Sequence, residues 1–252
     1  MFVAFCAESG RNLIGVICTI SNYFTITSGN TAIINNNYGG DYFSVTALSD
    51  TKVFIAYGYG SNSSRTLSAV VCTVNNLVIS KGTATQLSSE QNTGNKIFTT
   101  TLSDSKVIVC HKYTGNTYVG GIICDIENTT ITYGNDTVLL GSGATNTSYG
   151  IPLRISDNKV VVAIDKLDKI CTISENTITI DSSQSAGYSG YTCLLTSNKR
   201  IIFSISGAAT VLIDNIYTGL CKVVSPTQIL TGIAKSNGSA GDTVKVIVPD
   251  VA

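Results

Sequence analysis

Residues 43–56 read FSVTALSDTKVFIA, and the same pattern returns along the chain. It recurs at 98–110 as FTTTLSDSKVIVC, at 153–163 as LRISDNKVVVA, and in a weaker copy at 195–203 as LTSNKRIIF. The matching residues Leu48, Leu102, Ile155 and Leu195 follow one another at steps of 54, 53 and 40 positions. Self-similarity at a period of about fifty residues indicates repeated supersecondary units, and it therefore decides the fold class.

A second motif supports the same period. It reads ICTI at 17–20, VCTV at 71–74, ICDI at 123–126 and ICTI at 170–173, at steps of 54, 52 and 47 residues. Each copy is followed by a short polar turn and another run rich in β-branched residues. Each repeat thus predicts four short strands, A to D, joined by turns and loops.

The strands are almost continuously apolar, which suits sheets that are buried on both faces. Stacked four-stranded units bury those faces, and closing the stack into a ring removes its ends. The sequence therefore predicts an all-β chain, a small β-propeller of five four-stranded antiparallel blades. We expect one repeat domain over 1–252, with approximate units 1–42, 43–97, 98–150, 151–190 and 191–252. A linear stack, either a β-fibre or a β-solenoid, remains the alternative.

The first unit begins inside a strand and contains only strands B, C and D. We expect a C-terminal strand, at Val244 to Val248, to supply its missing member. Residues 1–6, MFVAFC, lack the basic start and the long apolar stretch of a signal peptide. The chain is therefore expected to be a fragment of a longer protein, or a ring whose first unit is completed from elsewhere.

Charge argues against two classes of partner. Sixteen basic residues balance 16 acidic ones, so nothing attracts the phosphates of nucleic acid or of anionic lipid. No stretch approaches the 18 uninterrupted apolar residues of a membrane span. We expect no nucleic-acid partner and no membrane insertion.

The eight cysteines are interpreted as packing residues. Cys18, Cys72, Cys124 and Cys171 occupy one column, strand C of successive repeats, and packed sheets lie too far apart for a disulfide. Cys6 and Cys110 match each other one strand earlier. The chain has no CxxC pair, and its single histidine, His111, cannot complete a zinc set, so neither a metal nor a cofactor is expected.

Two kinds of connection alternate along each repeat. The A–B turns around Asp50, Asp104 and Asp157 are short, and we expect each Asp to bond its own backbone there. The B–C and D–A loops, which meet at the other end of the strands, are longer and rich in Tyr, Gly, Ser and Asn, a composition typical of recognition surfaces. The predicted ligand-binding residues are Tyr38, Tyr57, Tyr59, Asn62, Tyr113, Asn116, Tyr118, Tyr149 and Tyr188. The alternative is that these residues merely form good loops.

Catalysis finds little support. A glycosidase needs carboxylates that converge on the substrate. Candidates exist by residue type, but none lies in a repeated or distinctive context: Asp41, Asp125, Glu127, Asp165 and Asp168. The sequence contains no nucleophile elbow whose serine His111 could activate, and it contains no phosphate-binding loop. The sequence predicts a protein that is not an enzyme.

The closing segment, GIAKSNGSAGDTVKVIVP at 232–249, resembles the end of many bacteriophage tail and fibre proteins. The repeat pattern, LSDxKVxVxY followed by VCTIxxxxIxxG, is similar to repeat regions in phage tail-fibre or receptor-binding proteins of Gram-positive gut bacteria. Residues 1–252 contain no segment that resembles the N-terminal virion-attachment part of such fibres. The resemblance implies a tail component assembled in the host cytoplasm, with other tail proteins and a host-surface glycan or receptor as partners. It carries over no site residues.

Two other functions stay open. One is a structural virion protein that assembles the tail and binds no ligand. The other is an extracellular lectin of a cellular organism, which would use the N-x-S/T sequons at Asn62, Asn128, Asn146 and Asn237.

Overall fold

The computed structural model describes residues 2–7, 12–21, 25–36, 38–60, 66–88, 95–113, 118–141, 150–164, 167–185, 192–195, 201–204, 210–214, 222–223, 233–234 and 246–247. All regular elements within these ranges are β-strands, which confirms the all-β prediction. The chain divides into two compact units, Met1–Ser185 and Ala186–Ala252.

The first unit contains four antiparallel sheets, and the first three or four strands of each sheet pair in chain order. The first sheet comprises β1 (Phe2–Ala7), β2 (Asn12–Ser21) and β3 (Thr25–Asn35). The second comprises β4 (Tyr38–Ser49), β5 (Lys52–Tyr59), β6 (Thr66–Asn75), β7 (Val78–Lys81) and β8 (Thr85–Gln86). The third comprises β9 (Asn95–Ser103), β10 (Lys106–Lys112), β11 (Val119–Glu127), β12 (Thr130–Tyr133) and β13 (Thr137–Leu140). The fourth comprises β14 (Gly150–Ser156), β15 (Lys159–Ile164), β16 (Leu167–Ser174) and β17 (Thr177–Ser185).

The second unit contains one more four-stranded antiparallel sheet and a two-stranded ladder. The sheet comprises β18 (Thr192–Leu195), β19 (Ile201–Ser204), β20 (Thr210–Asp214) and β21 (Lys222–Val223). In the ladder, β22 (Ile233–Ala234) pairs with β23 (Val246–Ile247). The repeated four-strand meander is therefore confirmed, and the first sheet has the three predicted strands, B, C and D. The predicted closing strand, Val244 to Val248, contains β23, and the described partner of β23 is β22.

Successive sheets of the first unit pack face to face. In β5, Phe54 and Ala56 face the third sheet, whereas Val53 and Ile55 face the first. All four side chains are almost completely buried. A third core joins the third and fourth sheets through residues such as Ile108 and Val160. Burial on both faces explains why the strands are almost continuously apolar.

The first strands of successive sheets lie side by side and are joined by hydroxyl groups. Ser44 Oγ lies 2.8 Å from Thr99 Oγ1, which links β4 to β9. Thr100 Oγ1 donates a hydrogen bond of 2.7 Å to the carbonyl oxygen of Pro152, which links β9 to β14. These side-chain bonds replace a backbone ladder between neighbouring sheets.

Two of the three A–B turns use serine rather than the expected aspartate, and in the third turn Asp157 pairs with Arg154. The amide of Thr51 donates to Ser49 Oγ at 3.3 Å, and the amide of Ser105 donates to Ser103 Oγ at 3.4 Å. The serine precedes the turn by one residue, so its hydroxyl reaches the amide two positions ahead, and Asp50 and Asp104 are left exposed to solvent.

The outer strand of two sheets is interrupted. In the second sheet β7 and β8 both pair with β6, and in the third sheet β12 and β13 both pair with β11. Each interruption begins at a glycine, Gly82 or Gly134, whose Cα lies against the C–D turn of the next sheet, near Thr129 and Asn176 respectively. These glycines end the VCTIxxxxIxxG pattern of the repeat, and the close approach of a neighbouring turn explains why the pattern ends with glycine.

The cysteines of the repeated column are buried and form no disulfide bond. Burial raises the pKa of Cys72 to about 11 and that of Cys171 to about 12. Both thiols therefore stay protonated at neutral pH and act as small apolar packing residues, as predicted. Cys110, also fully buried, behaves in the same way.

Candidate ligand-binding site

The structure places the predicted tyrosines in different surroundings. Tyr57 is completely buried between the first and second sheets, and burial raises its pKa although its hydroxyl bonds Asn35. Its ring therefore packs in the core and does not face solvent. Tyr59, by contrast, is 41% exposed at the end of β5.

Three of the other predicted residues are described by the structure, and the rest are not. Tyr113 and Tyr118 come together at the end of the third sheet. Tyr38 belongs to β4, where its Cα partner is Tyr59. The remaining predictions lie outside the described residues: Asn62, Asn116, Tyr149 and Tyr188.

An open cleft of roughly 410 Å³ lies between the second and third sheets. One wall is formed by residues 86–88, which end the outer strand of the second sheet. The other wall is formed by Tyr113 and by residues 133–136, where the outer strand of the third sheet is interrupted. Tyr133 is 45% exposed, so its ring is available to a ligand. We call this space the inter-sheet cleft; its volume lies in the range of small-molecule sites.

A polar cluster formed by His111, Tyr113 and Asp136 lies at one wall of the inter-sheet cleft. His111 Nε2 donates to Asp136 Oδ2 at 2.8 Å, and the hydroxyl of Tyr113 donates to the same oxygen. The His111 side chain has no exposed surface, whereas that of Asp136 is 22% exposed. Two donors thus hold one carboxylate oxygen and fix the orientation of Asp136.

The ring of Tyr118 extends this cluster. Its centroid lies 4.0 Å from that of Tyr113, and the His111 and Tyr113 centroids are 4.8 Å apart. Burial raises the pKa of Tyr113 well above its ordinary value of 10.0, and its hydrogen bond to Asp136 raises it further. Tyr113 therefore remains a hydrogen-bond donor at every working pH.

Gly120 makes room for the polar cluster. It is the Cα partner of His111 across β10 and β11. A Cβ at this position would lie 2.5 Å from Asp136 Oδ1 and 2.8 Å from His111 Nε2. Real Cβ atoms do not approach other atoms so closely, so only glycine admits the histidine–aspartate pair. The second sheet has Ser68 at the equivalent position.

The polar cluster belongs to one repeat. Counting five residues from the lysine that opens strand B gives Tyr57, His111 and Ile164 in successive sheets. Counting twelve from the cysteine of strand C gives Ala84, Asp136 and Ser183. His111 and Asp136 therefore occur together only in the third sheet, and this departure from the repeat is the signal that sequence reasoning missed.

Two atoms of the polar cluster have unused hydrogen-bonding capacity. His111 Nδ1 and Asp136 Oδ1 are buried, and neither has a hydrogen-bond partner among the described residues. Buried polar atoms in native proteins are nearly always paired, so an unpaired pair at a cleft wall distinguishes this place from an ordinary core.

Of the carboxylates considered for catalysis, Asp125 and Glu127 line one small pocket of the third sheet. Asp125 pairs with Lys106 at 2.6 Å, and Asp168 is buried in the fourth sheet. Asp165 lies outside the described residues, as does the side chain of Asp41. The described residues contain no group of three or more His, Cys, Asp or Glu side chains that could hold a metal ion.

No protein-family model, curated protein or solved structure matches this chain. Among the described residues, there is no helix with the length and apolar character needed to cross a membrane.

Proposed function

We propose that this chain is a non-enzymatic β-propeller of a phage tail, which binds a glycan of the host surface in its inter-sheet cleft. The observation that carries the proposal is the composition of that cleft. Aromatic rings, amides and one oriented carboxylate surround a space of small-molecule size. Polar groups in such an arrangement fix the orientation of a ligand, while the rings supply contact area.

The residues that line the cleft suit a sugar ligand. The apolar C–H face of a sugar packs on a tyrosine ring, and Tyr133 offers such a ring on the wall formed by the third sheet. Gln86, Asn135 and Asp136 line the same space and bear groups that hydrogen-bond hydroxyls. The balanced charge of the chain fits a ligand recognised by contact and hydrogen bonding rather than by long-range attraction.

The closed ring is supported by how the sheets of the first unit pack. Each internal sheet buries both faces against its neighbours, and the first strands lie side by side, as strands around a common axis do. The first sheet has three strands where the next three have at least four. A strand from the C-terminal segment 232–252 would complete it and close the ring.

Closure predicts slow hydrogen exchange in β1. Amides of β1 that point away from β2 pair with the closing strand in a ring, so deleting residues 232–252 is expected to speed their exchange at least tenfold. Hydrogen-exchange mass spectrometry or NMR measures this, with β10 as the internal control, because β10 pairs on both sides within its own sheet. Equal β1 exchange rates with and without 232–252 would indicate an open stack.

If the cleft binds a glycan, replacing Tyr133 is expected to weaken that binding. A glycan array identifies a ligand, and calorimetry then compares the wild type with Tyr133→Ala. We expect at least tenfold weaker binding, because truncating an aromatic hot spot costs about 2 kcal/mol or more, and about 1.4 kcal/mol is tenfold. Val138→Ala is the matched control, since Val138 is 52% exposed on the following strand but does not line the cleft. Unchanged affinity in Tyr133→Ala would remove the cleft as the binding site.

A second candidate function is assembly of the tail without ligand binding. Apolar side chains are exposed on the outer strands of the first three sheets: Ile33 is 57%, Val78 is 61% and Val138 is 52% exposed. Exposed apolar groups that recur at one edge are typical of contact surfaces. This candidate predicts self-association or docking to another tail protein and no glycan affinity, which light scattering and the glycan array distinguish.

A further inference from the structure

The inter-sheet cleft has an asymmetric charge. Of the described residues that line it, Asp136 alone carries a formal charge, and the others are Gln, Leu, Ser, Tyr, Gly and Asn. Lys112 follows His111 in β10, and successive side chains of a strand point to opposite faces, so this lysine faces away from the cleft. The described lining therefore presents one negative charge that no neighbouring lining residue balances.

Two hydrogen-bond donors hold Asp136 at the cleft wall. Both of its described hydrogen bonds come from donors, His111 Nε2 and the Tyr113 hydroxyl, and a carboxylate accepts both. Its side chain is mostly buried, so solvent screens its charge less than that of a surface carboxylate. Asp136 Oδ1 is buried and has no described partner, so a ligand meets the charge at the exposed 22% of the side chain.

An accessible aromatic ring shares the cleft with this charge. Tyr133 lines the cleft and is 45% exposed, whereas the ring of Tyr113 is buried against those of His111 and Tyr118. The face of an aromatic ring attracts a cation, and a partly desolvated cation gains up to about 2 kcal/mol from it. A carboxylate that shares a cleft with an exposed tyrosine ring is thus suited to an ammonium group.

We infer that the inter-sheet cleft selects a glycan that carries a protonated amine, such as a hexosamine with a free amino group, over its N-acetylated or neutral counterpart. The inference rests on the proposed glycan-binding function and specifies its ligand class. Acetylation removes the positive charge from the nitrogen, so it removes both the attraction to Asp136 and the cation–π contribution.

Three oligosaccharide series test this inference. Chitosan, chitin and cellulose oligomers of equal length share one backbone and differ at carbon 2, which bears an ammonium, an acetamide or a hydroxyl group. Calorimetry is carried out at a pH where the free amine is protonated. We expect the chitosan oligomer to bind about tenfold more tightly than the other two, and this advantage to shrink as salt is added.

Two variants assign the effect to the cleft. Asp136→Asn is expected to bring the affinity ratio between chitosan and cellulose oligomers close to one. Asp104→Asn, which removes an exposed carboxylate from the opposite end of the third sheet, is expected to leave the ratio unchanged. A ratio that falls equally in both variants would indicate general charge attraction and overturn the inference.

The outcomes separate the two proposals. If all three series bind with similar affinity, the preference for an amine is wrong while glycan binding stands. If none of them binds, the amine preference is wrong for this backbone, and the glycan array alone decides whether the cleft binds a glycan.

Discussion

Substituting Gly134 by alanine is expected to lower the free energy of unfolding by about 3 kcal/mol, at the upper end of what overpacking a well-filled site costs. The added Cβ would overlap the carbonyl oxygen of Asn176 and lie 2.8 Å from its Cβ. Asn176 belongs to the two-residue turn between β16 and β17, so the new methyl group would push the fourth sheet away from the third.

The turn cannot move aside without losing other contacts. Lys106 Nζ, in the third sheet, donates to the carbonyl oxygen of Glu175 at 2.8 Å and to Asn176 Oδ1 at 3.3 Å. Asp125 holds the same ammonium group at 2.6 Å. Shifting the turn therefore breaks a hydrogen-bonded connection between the two sheets, and packed sheets have little free volume to absorb the shift.

Urea unfolding of three alanine variants measures this cost. Gly82→Ala meets Thr129 Cβ at 2.8 Å and the carbonyl oxygen of Val71 at 3.0 Å, so we expect a smaller but clear loss. Gly141→Ala is the matched control, because no heavy atom lies within 4 Å of its added Cβ. The expected order of stability is Gly141→Ala, then Gly82→Ala, then Gly134→Ala. Three equal midpoints would contradict the docking of turns against bare glycine backbone.

Much of the fold is predictable because each repeat carries the same local signals. The serine-led turn, the lysine that opens strand B and the apolar run behind it recur in 49–56, 103–110 and 156–163, and each copy forms an antiparallel hairpin. The interruption of the outer strand was not predicted. It arises because Gly82 and Gly134 receive a turn from the next sheet, and contact between repeats leaves no local pattern except the glycine itself.

The candidate site was only partly predictable. Loop composition predicts Tyr113 and Tyr118 but not Gln86, Tyr133 and Asp136, because the latter three come together only when two sheets stack. Tyr57 was selected on the same grounds as Tyr113, yet its ring packs in the core beside the first sheet. Composition cannot tell these cases apart, since the neighbouring sheet decides whether a side chain is covered.

Asp168 is expected to make the stability of the fold depend on pH. This residue of β16 is only 5% exposed, and burial raises the pKa of its carboxyl group from the ordinary value of 3.8 to about 6. A raised pKa means that the fold favours the protonated form. Its stabilising contribution is complete below pH 3.8 and is lost as pH rises through about 6, because above that pH the folded protein must bury a carboxylate.

Asp168→Asn removes this penalty, because the amide stays neutral at every pH. A pKa difference between 3.8 and about 6 corresponds to about 3 kcal/mol, so we expect the variant to exceed the wild type by about that amount at pH 8. Near pH 4 the two proteins should be almost equally stable, since the wild-type carboxyl is then protonated in the fold and half protonated in the unfolded chain. Urea unfolding at both pH values measures the difference, and Asp104→Asn, at an exposed turn, is the control that should show no such change. A stability gain that is the same at pH 4 and pH 8 would show that packing, rather than the buried charge, separates Asp168→Asn from the wild type.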